Sequence, residues 1–462
     1  MKKFFFSVLA LCVGVAAFAD GDIVKTGLNV GPLPAIAYDA DKGLQLGAIL
    51  QLFDYGDGHN YPNYDAKTYL EYSYFTKGSH LIQLRHDNKE LIPGVRWSSA
   101  LRIVLDNAFD FYGFNGYQTY YNYDLIAQGK DKSSDAFAFS PFYRYHRNEF
   151  SFKSDFIGKI TDNFHWEGGI FANYLALSTI DYDNINKGKS EAKQYPKSLP
   201  TLFDIYKQAG VISEEEADGG FSSGIRAGLV YDTRDKEGAP SRGIWAEGHV
   251  IAALPYISHI PYYRYSLTWR HYLPIVSNDV LTFAYRLNYE GNFGNSAPFY
   301  ALPYMTVMGE KNDLDGMGGF WNLRGIMRNR VVGLDMAVYN AELRWRFTKF
   351  RIGKQNIALG LNAFSDGAMV TRGRDMGNLA KYAQTLSSLS SVSGLNLKSS
   401  VVTDRENDTP HITFGAGFRF IMNENFIIAF DYGTPLTHFL KNSPLYNQDG
   451  TGAFYINLGY LF

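Results

Sequence analysis

The chain has 462 residues and a formal charge of −2, with 44 Lys and Arg against 46 Asp and Glu, which argues against a nucleic-acid partner. It contains 34 Tyr, 34 Phe and 45 Gly, all high for an ordinary globular domain. After residue 19, no apolar run reaches the length of about 18 residues that a transmembrane helix needs. Two classes of protein remain, a secreted β-sandwich and a membrane-spanning β-barrel.

Residues 1–19 predict a secretory signal peptide. Lys2 and Lys3 are followed by an apolar stretch and by the small-residue exit Ala17-Phe18-Ala19. We expect a short periplasmic N-terminal segment at 20–32 and a barrel at 33–462. The single cysteine, Cys12, lies in the predicted signal, so we expect no disulfide or zinc-thiolate site in the mature chain. No metal and no cofactor is predicted.

Alternation of apolar and polar residues favours the barrel, because a transmembrane strand faces lipid at every second residue. In the segment 411–420, Ile412, Phe414, Ala416, Phe418 and Phe420 share one face, and His411, Thr413, Gly415, Gly417 and Arg419 share the other. In 150–160, Lys153 and Asp155 alternate with aromatic residues. Such charges suit a wet lumen better than a dry sandwich core.

Counting alternating segments predicts an all-β, transmembrane antiparallel barrel of sixteen strands. The even number puts both chain ends on one side of the membrane, and long and short connections should then alternate. The connection at 54–65 is longer than this scheme expects, and the first strand is short. The predicted strands are 33–38, 44–53, 66–76, 80–88, 98–106, 138–160, 163–177, 222–233, 242–253, 261–273, 279–291, 335–347, 356–368, 411–421, 425–433 and 452–462.

Several motifs occur in order between residues 222 and 462. A run of Asp232, Thr233, Arg234 and Asp235 enters a turn that closes on Pro240, Arg242 and Gly243. Leu323-Arg324-Gly325-Ile326 precedes Gly333 and the strand residues Glu342-Leu343-Arg344, and Phe364 and Asp366 follow. Together these motifs resemble those of the bacterial surface-antigen barrels related to BamA, TamA and FhaC. The resemblance implies a bacterial outer-membrane barrel, secreted through its signal peptide.

The resemblance also implies that a long sixth extracellular loop folds into the barrel, where Arg324 locks it against Glu342 and Asp366. Strand parity places both carboxylates toward the lumen, and Gly325 presents the arginine. The residues alone show only that the three could meet, and independently hydrated lumen charges are the alternative. Ile326 stands where the family has an aromatic residue, and Ala368 stands in the usual place of a glycine. Tyr460 and Phe462 resemble the C-terminal signal for outer-membrane assembly.

Family members usually carry soluble POTRA domains before the barrel. Residues 20–32 are too few for such a domain, so the chain resembles a member without POTRA domains. A separate periplasmic partner would then have to gather unfolded client proteins.

The resemblance implies assembly or translocation of proteins or lipids through a lateral seam between the first and last strands. Two alternatives stay open: a gated or plugged pore for small solutes, and a structural or partner-binding, homo-oligomeric barrel. Expected partners are outer-membrane lipid, lipopolysaccharide and client proteins. No Ser/His/acid trio is recognisable, so we do not expect an enzyme.

Overall fold

The structure is a computed structural model that describes residues 23–39, 43–76, 78–131, 137, 139–191, 194–197, 199–276, 279–311, 313, 317–319, 321–377, 379, 403 and 405–462. The predicted signal peptide lies outside the described residues, as do residues 20–22 of the predicted N-terminal segment. None of the described helices is long and apolar enough to cross a membrane.

One antiparallel sheet of sixteen strands makes up the described part of the chain, and each strand pairs with the next along the sequence. The predicted all-β class and the number of strands are confirmed. The strands are β1 (Leu28–Asp39), β2 (Gly43–Asp54), β3 (Ala66–Phe75), β4 (His80–Ile92), β5 (Val95–Asp110), β6 (Arg144–Lys159), β7 (Phe164–Ser178), β8 (Gly219–Asp232), β9 (Gly243–Ala253), β10 (Tyr262–Val276), β11 (Leu281–Asn292), β12 (Asp335–Ile352), β13 (Gln355–Arg372), β14 (His411–Met422), β15 (Phe426–Pro435) and β16 (Ala453–Leu458).

The two faces of the sheet have opposite chemistry. In β12, Leu343, Trp345 and Phe347 are exposed, while Glu342, Arg344 and Arg346 between them are buried. The same alternation runs along β8, where Phe221, Ile225 and Leu229 are exposed and Arg226 is buried. An apolar outer face and a charged inner face are what a barrel in lipid requires, because lipid cannot solvate charge.

Several predicted strand bounds differ from the structure. β4, β5, β12 and β13 run four or five residues past their predicted ends. Three further differences bear on the ends of the sheet and on the loops. The first runs over Leu28–Asp39 rather than 33–38 and keeps its register with β2 across Pro32 and Pro34. β1 is an edge strand, where proline is tolerated more readily than in the middle of a sheet. The sixth begins at Arg144 rather than residue 138, and the last ends at Leu458 rather than Phe462. Beyond Leu458, Gly459 takes φ +96° and the chain leaves the sheet.

The first and last strands are not paired. Their Cα atoms approach within 8 Å, yet among the described residues no ladder joins β1 to β16. β16 has six residues and β1 has twelve, so at most half of the β1 edge could be paired with it. The sheet is therefore not closed at this point.

The long loops share a buried aromatic core at one end of the strands. Phe111 follows β5, Phe203 and Tyr206 lie between β7 and β8, and Phe299 follows β11; all four pack within one cluster. The ring centroids of Phe111 and Tyr206 are 5.2 Å apart. Short helices support these loops: α1 (Tyr123–Gln128), α2 (Tyr182–Asn186), α3 (Leu202–Gln208) and α4 (Glu214–Ala217), with 3-10 turns at Gly116–Gln118, Phe299–Ala301 and Leu436–Phe439.

At the other end of the strands, the N-terminal segment lies against the turn between β12 and β13. The backbone N–H of Ile23 donates to Asn356 Oδ1 at 3.0 Å, and Asn356 Nδ2 donates back to the Ile23 carbonyl at 3.0 Å. Lys25 is buried and its Nζ donates to the carbonyl of Lys354. The segment that precedes β1 is thus bound to the β12–β13 strand pair, which is separated from β16 by β14 and β15.

Candidate functional site

The loop between β11 and β12, here called loop 6 (residues 293–334), carries Arg324 at its tip. The tip is a compact turn in which the N–H of Leu323 donates to the carbonyl of Gly319 and that of Gly319 to the carbonyl of Ile326, each at 3.0 Å. Gly325 has φ +92°, a left-handed conformation that favours glycine. Its N–H donates to the hydroxyl of Tyr455 in β16 at 3.0 Å. The tip is therefore held inside the ring of strands.

The Arg324 side chain is fully buried and surrounded by carboxylates. Its Nε and Nη2 donate to the two oxygens of Asp366 at 2.8 and 2.9 Å, a bidentate pair. Its Nη1 donates to Glu342 Oε1 at 2.5 Å, and the backbone N–H of Arg324 adds a bond to Asp366 Oδ2 at 3.1 Å. The structure thus brings together the three residues that the resemblance assigns to the lock.

Phe364 completes the pocket around the guanidinium. Its ring centroid lies 3.5 Å from Arg324 Cζ, so the planar cation stacks on the ring. Truncating one member of such a buried set leaves an unpaired charge, at a cost of about 3–5 kcal/mol.

Two members of the pocket are absent from the sequence prediction. Asp431 in β15 lies 3.4 Å from Arg324 Nη1 and forms a bidentate pair with Arg419 at 2.8 and 2.9 Å. Thr413 in β14 donates to the Arg324 carbonyl at 2.5 Å. Asp431 is the only acidic residue in the apolar run of β15, "FIIAFDYG". That isolated charge was the sequence signal that could have predicted its place in the pocket.

Loop 6 has a second attachment before its tip. The carbonyl of Val307 accepts from Lys153 Nζ at 2.6 Å, and Asp313 Oδ1 lies 3.2 Å from Arg226 Nη2. Burial raises the pKa of the Asp313 carboxyl, but the charges of Arg226 and Lys153 outweigh it and hold the pKa at about 2. Because Lys153 and Arg226 belong to β6 and β8, and the Arg324 pocket to β12, β13 and β15, loop 6 crosses the lumen.

The predicted turn motif lies elsewhere, between β8 and β9. Arg234 pairs with both oxygens of Asp232 at 2.9 Å, and Asp235 accepts from the backbone N–H groups of Ser241 and Arg242 at 3.0 and 3.2 Å. Gly243 has φ +100°, and a Cβ there would lie 2.3 Å from the Thr233 carbonyl. These residues shape a turn and do not reach Arg324.

Gly333 and Arg344 lie nearer to the pocket. A Cβ on Gly333 would lie 2.2 Å from Val370 Cγ1, so glycine permits the end of loop 6 to pack on β13. Arg344 Nε donates to Glu342 Oε2 at 2.6 Å, which orients the carboxylate that Arg324 uses.

The last residues turn into the lumen, which corrects the prediction of a strand reaching Phe462. Tyr460 and Phe462 are buried, and their ring centroids lie 4.2 and 4.9 Å from Arg344 Cζ. Arg344 Nη2 donates to the Phe462 carbonyl at 3.0 Å. Gly459, with its positive φ, supplies the bend that alternation alone does not reveal.

Comparison with solved structures finds similar chains at low sequence identity. CdiB from Escherichia coli is 8% identical, with a TM-score of 0.52 over 96% of this chain and 63% of that chain. BamA from Haemophilus ducreyi lacking POTRA domains 1-3 is 15% identical, with a TM-score of 0.47 over 94% of this chain and 70% of that chain. CdiB from Acinetobacter baumannii is 11% identical, with a TM-score of 0.45, and the chain spans 60% of its length.

No curated protein sequence matches the chain. The Omp85 superfamily domain, however, matches residues 109–462, which contain every motif described above. This protein therefore belongs to the Omp85 superfamily, whose members are barrels of the bacterial outer membrane.

Proposed function

We propose that this barrel assists the assembly or translocation of proteins or lipids at the outer membrane, through a lateral seam between β1 and β16. The observation that carries the proposal is the unpaired edge of β1, which stands beside a last strand of only six residues. An exposed strand edge presents free backbone donors and acceptors, and a client strand can add to it.

The contents of the lumen support a route through the seam over one along the barrel axis. Loop 6 crosses the lumen and is attached at both of its halves, by Lys153 and Arg226 on one side and by Arg324 on the other. A client passing along the axis would have to break these buried ion pairs, whereas the seam opens without touching them.

β1 suits the role of an acceptor edge. Pro32 and Pro34 have the same parity, so the donors that they lack fall on one side of the strand. Under this proposal the missing donors face β16, so the pairing of β1 with β16 is weak and the seam opens easily. The carbonyl groups of Pro32 and Pro34 remain as acceptors for a client strand. Under this proposal the partners are client proteins, outer-membrane lipid or lipopolysaccharide and a separate periplasmic partner, and the barrel has no catalytic role.

The test is to close the seam with a disulfide. Cys12, in the predicted signal peptide, is the only native cysteine. The strands therefore contain no native cysteine that could form a disulfide with an introduced one. Lipid-facing Val30 or Ile36 in β1 would be combined in turn with Phe454 or Ile456 in β16. The control is Leu50 with Leu70, which face each other across β2 and β3. Barrel-protein and lipopolysaccharide content of the outer membrane is measured with and without reductant.

We expect the crosslinked seam to lower one of these contents, reduction to restore it, and the control pair to change neither. Unchanged contents in an oxidised, fully crosslinked population would contradict the seam as the route.

A gated pore is the second candidate, favoured by the way loop 6 fills the lumen. If loop 6 is a plug, releasing it should open a channel. Planar-bilayer conductance of the wild type beside Arg324→Ala separates the two functions. A wild type that conducts steadily, or that opens and closes, would favour solute transport. A wild type that stays closed, and that only Arg324→Ala opens, directs attention to the seam.

A further inference from the structure

Glu167, Glu247 and His249 meet inside the barrel, away from the Arg324 pocket. Glu167 is on β7, and the other two are on β9 at positions of equal parity. One ligand atom from each lies within 4.8 Å of the others, and all three side chains are buried. His249 Nδ1 is 3.0 Å from Glu247 Oε1 and 3.7 Å from Glu167 Oε1.

Gly228 in the intervening strand makes this meeting possible. Glu167 pairs with Gly228, and Gly228 pairs with His249, so the three residues form one row across β7, β8 and β9. A Cβ on Gly228 would lie 2.5 Å from Glu167 Oε1 and 2.5 Å from the Cβ of His249. Any larger residue would therefore separate the carboxylate from the imidazole.

Hydrogen bonding indicates which nitrogen of His249 is free. Thr306 in loop 6 donates its hydroxyl proton to Glu290 Oε2 at 2.9 Å, so it can only accept from His249 Nε2, which is 3.2 Å away. The Nε2 nitrogen then carries the proton, and in the neutral ring Nδ1 presents a lone pair to the two glutamates. An oriented His with its second nitrogen bonded in this way is the usual arrangement of a metal ligand.

Glu167 has no hydrogen bond and no ion pair with Lys or Arg in the part of the chain that the structure describes. It is 3% exposed, and neither of its carboxylate oxygens has a hydrogen bond. Among the described residues, His249 is the only basic group within 4.0 Å of Glu167, and its Nδ1 makes no hydrogen bond despite its closeness to Glu247. Nearby Lys153 and Arg226 instead form ion pairs with Asp155 and Asp313.

We infer that Glu167, Glu247 and His249 bind one divalent transition-metal ion of the Zn²⁺ class. Ligand atoms about 2.0–2.1 Å from a tetrahedral zinc ion lie about 3.3 Å from one another. The distance from His249 Nδ1 to Glu247 Oε1, 3.0 Å, is a little shorter than that value, and the distance to Glu167 Oε1, 3.7 Å, is a little longer. One imidazole with two carboxylates suits Zn²⁺ better than Ca²⁺ or Mg²⁺, which prefer oxygen ligands alone. Water would supply the fourth ligand.

The ion would fasten loop 6 to the wall opposite the Arg324 pocket. Glu247 Oε1 also accepts from the backbone N–H of Met308 at 3.1 Å, and His249 contacts Thr306, so two of the three ligands touch loop 6. A bound ion would hold these side chains in place and join β7 to β9 across β8. Metal removal should then loosen residues 306–309 and leave the Arg324 pocket intact.

The test measures metal directly, on full-length barrel purified in detergent without a polyhistidine tag. Equilibrium dialysis against Zn²⁺ compares the wild type with Glu167→Gln and His249→Gln. The matched control is Glu71→Gln, a buried lumen carboxylate that accepts bonds from Tyr69, Ser73, Gln45 and Gln83. Heat-resistant migration establishes that each variant is folded.

We expect about one zinc ion per chain in the wild type and the control, and affinity at least about tenfold weaker in the two ligand variants. Equal zinc binding by wild type and Glu167→Gln, or no wild-type binding above the detergent blank, would overturn the site. Should neither variant fold, wild-type barrel loaded with Co²⁺ replaces them. A visible absorption band that zinc displaces supports the site, and its absence overturns it.

A proton shared by Glu167 and Glu247 would also reduce the repulsion between their buried charges, without a metal ion. In that case urea unfolding of the wild type would change with pH between 5 and 8 but not on adding Zn²⁺ or a chelator, a result that counts against the metal.

Discussion

Gly325 at the tip of loop 6 packs backbone against backbone on Gly433 in β15. A Cβ on Gly325 would lie 2.6 Å from the carbonyl carbon of Gly433, and a Cβ on Gly433 would lie 2.9 Å from the nitrogen of Gly325. Two glycines face each other where Arg324 enters its pocket. The contact sets how deeply the guanidinium reaches between Glu342 and Asp366.

Gly433→Ala should therefore displace the tip, because the added methyl group meets backbone that cannot rotate away. We expect faster proteolysis within residues 310–330 and loss of heat-resistant migration at a lower temperature. Gly248→Ala is the control, since a Cβ there meets only the flexible end of Leu267, at 3.2 Å. Equal protection of the two variants would show that the glycine contact does not position loop 6.

Arg324→Ala should destabilise the folded barrel by about 3–5 kcal/mol, because it leaves Asp366 and Glu342 buried without their cation. Arg324→Lys should rescue little, since an ammonium cannot form the bidentate pair or stack on Phe364. Urea unfolding in lipid measures both effects. Lys159→Ala, which removes an exposed pair with Asp162, should leave the free energy of unfolding almost unchanged, because solvent screens such a pair.

Arg330→Ala should loosen the extracellular loops while leaving the Arg324 pocket in place. The buried guanidinium donates to the carbonyls of Gly116, Thr119 and Gln448 at 2.7, 3.0 and 2.7 Å. We expect a loss of at least about 2 kcal/mol, because hydrogen bonds to a charged group contribute about 1.5–3 kcal/mol each. Limited proteolysis should begin near residues 116–122 and 443–450. If the first cleavage occurred inside loop 6 instead, the prediction that Arg330→Ala leaves the Arg324 pocket in place would be wrong.

The Asp313 attachment should weaken in acid. Its folded pKa of about 2 lies below the ordinary value of 3.8, so the stability it contributes is complete above that value and is lost as the pH falls toward 2. The difference in unfolding free energy between wild type and Asp313→Asn should be on the order of 2 kcal/mol at pH 7 and vanish near pH 2. A difference that does not change with pH would mean that Asp313 acts without its charge.

Deleting Phe462 should reduce the amount of barrel in the membrane. The deletion removes a ring that packs on Tyr272 and Arg286 and shifts the carbonyl that Arg344 binds. Phe462→Leu keeps an apolar group there and separates packing from recognition of the terminal aromatic residue. Normal levels of the leucine variant would assign the role to packing, and low levels with normal refolding in vitro would assign it to recognition during assembly.

The sequence predicted the strands well because alternation is a local pattern. Glu342, Arg344 and Arg346 lie on the predicted face, and the motifs name Arg324, whose two predicted carboxylates the structure places beside it. Residues outside strands, such as Asp449 and Tyr117, carry no such period, so alternation cannot predict which strand residues they contact. His411 lies 2.6 Å from Asp449 and stacks on Tyr117 at 3.7 Å, a contact among three distant parts of the chain that spacing cannot reveal. The inward bend at Gly459 and the row through Gly228 likewise depend on one backbone position each.

The anchoring of Ile23 and Lys25 on the β12–β13 turn has a practical consequence for labelling experiments. Because both residues are bonded at that turn, a probe attached to Ile23 reports the position of the β12–β13 turn and not that of the β1 edge. Distances measured from such a probe to β16 should stay constant while the seam opens and closes, which makes this site a reference point. A probe on Val30, within β1 itself, would move with the edge.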